Sequence, residues 1–238
     1  MTQAIRKISY DGWECEWKED HIKVSYPSSS VLTEYKLVRQ PCCKTCGTPL
    51  FQGRECGEPT RDGNLELANG SFQLGHYYAS KLEEYHTDPL TREIIELKQD
   101  PRFAVPIGIA LSLLILNRHE QLLETDMLIP IPSKHNQSLE LCRVISDVIF
   151  DQTKKRIEVN DCLIKNKDIT MHACNFFERL EAVDGMYSVK ESAGIKNKSI
   201  TIVDDIITTG LTLGECLKIL KPHGASKMFT LVAGANYS

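Results

Sequence analysis

The chain has 238 residues, 42% of them hydrophobic and 25% charged, a balance that fits a globular protein with a sizeable core and excludes a largely disordered one. A formal net charge of -4 argues against nucleic acid as a direct partner. Nothing near the N-terminus resembles a secretory signal, and the longest apolar run, Phe103 to Leu116, falls short of the roughly 18 to 20 residues a bilayer demands. A cytoplasmic protein with no membrane partner is therefore expected, its nine cysteines being thiols or metal ligands.

Taken in chain order, residues 1–70 differ from the rest. Ile22, Val24 and Tyr26 alternate with polar residues, as do Tyr35 and Leu37, which predicts short antiparallel strands. "PCCKTCGTPLFQGRECGEPTRDGN" follows, too poor in apolar residues to build much of a core. Its Cys43-x-x-Cys46-Gly spacing lets two thiolates reach one metal, with Cys56 as a third ligand. Cys42, Cys15 and His21 all remain open as the fourth, and structural zinc is expected. Residues 71–238 read as alternating helices and strands. Asp88-Pro89 and Asp100-Pro101 each place an acid before a first-turn proline and so mark helix starts. The apolar run from Phe103 reads as a buried helix. "MLIPI" (127–131) is a strand with its exit loop, and Leu141, Ile145 and Val148 share a helix face. "CLIK" (162–165), "SITIV" (199–203) and "MFTLVA" (228–233) read as strands buried on both faces. Strands alternating with helices imply a parallel sheet with ligands at its carboxyl ends. The remaining cysteines, Cys142, Cys162, Cys174 and Cys216, stand singly and read as small packing residues.

The densest chemistry lies in "IVDDIITTGLT" (202–212). An apolar strand runs into two acids and a Thr/Gly turn, and Leu213, Cys216, Leu217 and Leu220 then continue at helical spacing. Thr212 and Glu215 are placed as a capping box at the helix start. Backbone N–H groups converging on a helix N-terminus make an anion site.

This stretch resembles the phosphoribosyl-diphosphate (PRPP) signature of type I phosphoribosyltransferases. The cysteine-rich front, "PIPSKHNQS" (130–138) and "KNKDITMHACNFFERLEAVDGMY" (165–187) follow the order found in ComF-type members, with Asn136, Gln137, Lys165, Lys167, Arg179 and Tyr187 in matching places. The likeness covers roughly residues 72–235. It implies an α/β, parallel-sheet type I phosphoribosyltransferase fold with a small, mostly β cysteine-rich module in front of it. It also implies PRPP as substrate with Mg²⁺, an acceptor that the sequence does not name, and pyrophosphate as product. Asp204 and Asp205 would hold the ribose hydroxyls and stabilise the positive charge that develops on the ring. Thr208, Thr209, Gly210, Leu211 and Thr212 would wrap the 5′-phosphate, and Ser133 and Lys134 would meet the pyrophosphate. Lys165, Lys167 and the catalytic candidate Arg179 would flank a mobile lid over residues 168–180. The chain departs from the family at His135, which replaces a phenylalanine, and at Glu181-Ala182-Val183. Thr208 stands where enzymes using hypoxanthine or guanine carry an aspartate, which disfavours that role. A homodimer is compatible with the resemblance. The alternative is a non-catalytic PRPP- or nucleotide-binding accessory protein, since ComF-type proteins are linked to competence and DNA uptake.

Overall fold

A computed structural model of the chain describes residues 5–26, 32–38, 42–43, 47, 59–167, 183–191 and 194–236. β1 (Lys7–Tyr10), β2 (Trp13–Trp17), β3 (His21–Ser25) and β4 (Leu32–Lys36) pair antiparallel in chain order. Strand alternation puts Ile8, Cys15, Ile22, Val24 and Tyr35 on one buried face, and Tyr26 lies at the exposed end.

The second sheet is wholly parallel. Its strands are β5 (Gly70–His76), β6 (Met127–Pro130), β7 (Glu158–Val159), β10 (Ser199–Ile207) and β11 (Lys227–Ala235), in the order β5-β11-β10-β6-β7. "SITIV" and "MFTLVA" are its central strands, as their apolar runs predict. "CLIK" is not part of it. β8 (Leu163–Lys165) pairs antiparallel with β9 (Tyr187–Val189) in a separate ladder, with Ile164 42% exposed. A short apolar run does not by itself distinguish a central strand from a peripheral one.

Among the described residues the α-helices are α1 (Pro59–Asn64), α2 (Glu84–Thr87), α3 (Pro89–Leu97), α4 (Ala104–Arg118), α5 (Gln137–Thr153) and α6 (Leu211–Leu220). Asp88 caps α3 by accepting from the Thr91 N–H at 2.7 Å. Asp100 caps the 3-10 turn leading into α4 by accepting from the Arg102 N–H at 3.0 Å. The helical stretch Pro101–Arg118 is long and apolar enough to cross a membrane. Ala104 and residues 106–116 are nonetheless buried inside the fold, as in a core helix.

One apolar cluster joins the antiparallel sheet to α3, α4, α5 and one face of the parallel sheet. The other gathers Ile200, Ile202 and Val232 with Leu213, Cys216 and Leu217 of α6, and with Leu65 just after α1. The sheet is thus covered on both faces, and its carboxyl edge is left for ligands.

Candidate functional site

β10 continues through the two acids to Ile207, so Asp204 and Asp205 lie inside the strand, near its end. Successive side chains of a strand point to opposite faces, yet the two adjacent carboxyl groups remain close enough to interact. Asp204 lines the cleft at the start of α6, and its carboxyl accepts from Ser138 Oγ, in the first turn of α5, at 3.2 Å and from the Asp205 N–H at 2.9 Å. Burial first, and then the charge of Asp205, push the Asp204 pKa well above the usual carboxylate range. Asp205 takes the α3 side. Its carboxylate accepts from the Ile206 N–H at 2.8 Å and lies 3.9 Å from Lys98 Nζ. Lys98 also sits 5.7 Å from the Tyr77 ring, whose hydroxyl is pushed up to about 12 by burial, Tyr85 and Asp205.

Past Ile207 the chain turns through Thr208, Thr209 and Gly210 into α6. Gly210 adopts φ 77°, a left-handed conformation that favours glycine, and directly precedes the helix. The capping box expected of Thr212 and Glu215 does not form, and among the described residues no side-chain cap of α6 is made. The helix starts at Leu211, which puts Thr212 inside its first turn. The first N–H groups of α6 have no partner within the helix, and the helix dipole makes this end favourable to an anion. Asp204, Ile206, Thr208, Thr209, Gly210, Leu211, Thr212 and Asn236 line a cleft of about 330 Å³.

The floor of this loop comes from α1, none of whose residues the sequence analysis singles out. Arg61 on α1 is 1% exposed, and its Nε donates to the Thr208 carbonyl at 2.7 Å while Nη2 donates to the Asn236 carbonyl. Asn64 Nδ2 donates to the Thr209 carbonyl at 2.8 Å. Lys98 and Ser138 were likewise missed. Each is a common residue on a helix, and only its position against β10 marks it.

The other candidates do not gather in the same cleft. Ser133 Oγ accepts from the Gln137 N–H at 3.1 Å and donates to the Gln137 side chain, which commits it to the start of α5. Lys134 and Lys165 are exposed, and Lys167 Nζ donates to the Asp184 carbonyl at 2.6 Å. Arg179, and with it the expected lid over 168–180, lies outside the described residues, as do Cys46 and Cys56. Cys42 and Cys43 are half-buried beside a cavity of about 180 Å³ that Val38, Gln73 and His119 also line. Among the described residues, no group of three His, Cys, Asp or Glu is placed to hold a metal. Of the open fourth ligands, Cys15 is buried in the core with Sγ 3.9 Å from the Pro106 carbonyl, which removes it from contention. His21 Nδ1 lies 2.7 Å from Asp20.

Residues 137–236 match the family model described as phosphoribosyl transferase domain. This segment spans α5 to the end of β11 and contains both acids and the loop. A 40-residue stretch is 42% identical to a transcriptional regulator, GfcR, of Methanosphaera stadtmanae. That match covers 17% of this chain and only 20% of the relative's length. Among solved structures, a purine phosphoribosyltransferase from Pyrococcus horikoshii Ot3 aligns over 68% of this chain and 87% of its own. Its TM-score is 0.33 and its identity 15%, a likeness too loose to speak to function.

Proposed function

We propose, from a chain that carries a phosphoribosyl transferase domain over residues 137–236, that it binds PRPP and transfers the 5-phosphoribosyl group to an acceptor, releasing pyrophosphate. The observation that carries this reading is that Asp204 and the loop 208–212 share one cleft at the end of β10. The 5′-phosphate would take the N–H groups at the start of α6. Asp204 would accept from a ribose hydroxyl and, once ionised, stabilise the positive charge that builds on the ring as the bond to pyrophosphate breaks. Asp205, held near Lys98, would supply a second negative charge from the opposite face. Mg²⁺ would enter this cleft as a companion of the substrate, with the Asp204 carboxyl, which lines the cleft, as an oxygen donor toward it. When bound, the ion would neutralise pyrophosphate oxygens. Within the phosphoribosyltransferases we place the chain with the ComF-type members, on its cysteine-rich front and the segments 130–138 and 165–187.

The test is calorimetric titration of PRPP with Mg²⁺, together with pyrophosphate detection against a panel of acceptors. No binding of PRPP at millimolar concentration would overturn the reading.

A second reading has one observation in its favour, the stretch shared with a protein named as a transcriptional regulator. On this reading the cleft senses PRPP or a nucleotide without turnover, and saturable binding with no pyrophosphate release under any acceptor would select it. For the cysteine-rich module we propose a structural Zn²⁺ held by Cys43, Cys46, Cys56 and either Cys42 or His21. The half-buried Cys42 and Cys43 beside a cavity are compatible with thiolate ligands. Elemental analysis of protein purified without chelator should return about one zinc per chain, and a metal-free result refutes the site.

A further inference from the structure

Arginine is almost never fully buried unless something specific holds it there. Arg61 is 1% exposed, and its fork is directed at two main-chain carbonyls, those of Thr208 and Asn236. These carbonyls lie just past the ends of β10 and β11, adjacent parallel strands, and both residues line the cleft. Asn64, three residues on, holds the next carbonyl of the loop, that of Thr209.

The consequence follows from peptide geometry. In a trans peptide the C=O and the following N–H point in opposite directions. Drawing the Thr208 and Thr209 carbonyls toward α1 turns the N–H groups of Thr209 and Gly210 away from α1. An anion site requires this, because carbonyls facing the cleft would repel a phosphate. The contact beneath the loop is close. A Cβ on Gly210 would stand 3.3 Å from Leu65 and 3.4 Å from Arg61, and one on Gly214 would stand 2.4 Å from the Asn64 carbonyl oxygen. The guanidinium also places a permanent positive charge behind the loop.

We propose that Arg61 is the positioning residue of the phosphate loop, acting through the Thr208 and Asn236 carbonyls, with Asn64 as its auxiliary. The proposal deepens the reading of the cleft as a 5′-phosphate site and rests on it. It places part of that site's machinery in the cysteine-rich stretch, ahead of the domain that contains the loop. A lysine would keep the charge but could not bridge two carbonyls on different strands.

The test uses the full chain carrying Arg61→Gln, Arg61→Lys or Asn64→Ala, with two ligands and one measurement made without ligand. Affinity for ribose 5-phosphate should fall roughly tenfold in Arg61→Gln, the scale of one lost charge-assisted interaction. Affinity for magnesium pyrophosphate, which has no 5′-phosphate, should stay within about twofold. Arg61→Lys should recover part of the loss. In the absence of ligand, the amides of residues 209–212 should exchange faster in Arg61→Gln than in the parent. Unchanged ribose 5-phosphate affinity, equal losses for both ligands, or unchanged exchange at 209–212 would each overturn the proposal. If the parent binds no phosphorylated sugar at all, the reading of the cleft fails, while the exchange comparison still decides whether Arg61 holds the loop. Should Arg61→Gln not fold, Asn64→Ala carries the same split with a smaller loss, and its absence overturns the proposal equally.

Discussion

On the β10 side of the carboxyl edge, residues 208–212 rest on Arg61 and Asn64, turn through a left-handed Gly210 and feed directly into α6. On the β6 side, Ser133 is committed to Gln137 and Lys134 stands in solvent, while Lys167, just past β8 of the separate ladder, is tied to the Asp184 carbonyl. The first side has its loop fixed by contacts within the protein itself. Its N–H groups are already oriented, so little ordering cost falls on binding. The second presents cations without a shared cavity among the described residues, and a multiply charged ligand there must gather them. If the cleft binds PRPP, the phosphate end supplies the anchor and the pyrophosphate end supplies the adaptation.

The sharpest way to break this comparison is to remove the acids. Asp204→Asn with Asp205→Asn should lower PRPP affinity by about 100-fold or more, with circular dichroism unchanged. Of the singles, Asp204→Asn should account for most of the loss, because Asp204 lines the cleft with the loop whereas Asp205 faces Lys98. Equal losses would erase the distinction between the two faces of β10. The pH dependence sharpens the same point. The pKa of Asp204 is raised in the free protein, so the stability tied to its protonated form is present below the unfolded value and lost as pH rises through the folded one. Ligand hydroxyls and Mg²⁺ favour the ionised form, so binding releases a proton and PRPP affinity rises with pH through that same range. Calorimetry in buffers of different ionisation enthalpy should show the release, and Asp204→Asn should abolish it.

How much of this was legible in the sequence depended on whether the signal was local. β10, its two acids, the loop and α6 follow one another without interruption, so the apolar run and the change of period were enough to read them. The helix start shifted by two residues because Gly210, free to adopt a left-handed φ, ended the turn before Thr212 could act as a cap. "CLIK" misled because apolar character reports burial and not the identity of the neighbouring strand. Arg61 and Asn64 were illegible for another reason. Their contacts span 147 and 145 residues of sequence, and within "EPTRDGN" they look like turn material.

A middle-sized effect tests the floor without touching a polar group. A Cβ at Gly214 would lie 2.4 Å from the Asn64 carbonyl oxygen, a backbone atom that cannot move aside cheaply. Gly214→Ala should therefore cost about 1–3 kcal/mol of stability and weaken ribose 5-phosphate binding together with it. Gly63→Ala, where a Cβ meets nothing within 4 Å, should be neutral or slightly stabilising. Thermal melts with parallel titrations compare the two. If Gly214→Ala melts like the parent, α1 does not press on α6 and the preformed floor is wrong.

The smallest effect is expected on the β6 side. Lys134 is exposed and lies in the loop between β6 and α5, where it can approach a pyrophosphate only as a solvated charge. An exposed ion pair contributes on the order of 0.2–1 kcal/mol, so Lys134→Ala should weaken magnesium pyrophosphate binding by about two- to fourfold at low salt. Stability should not change. Raising ionic strength to about 0.5 M shortens the screening length to a few ångströms and should remove the difference between variant and parent. A loss well beyond tenfold that persists in high salt would mean that ligand binding buries Lys134 against the pyrophosphate. In that case the loop between β6 and α5 closes into a built site of its own, and the contrast between the two sides of the edge describes only the ligand-free protein.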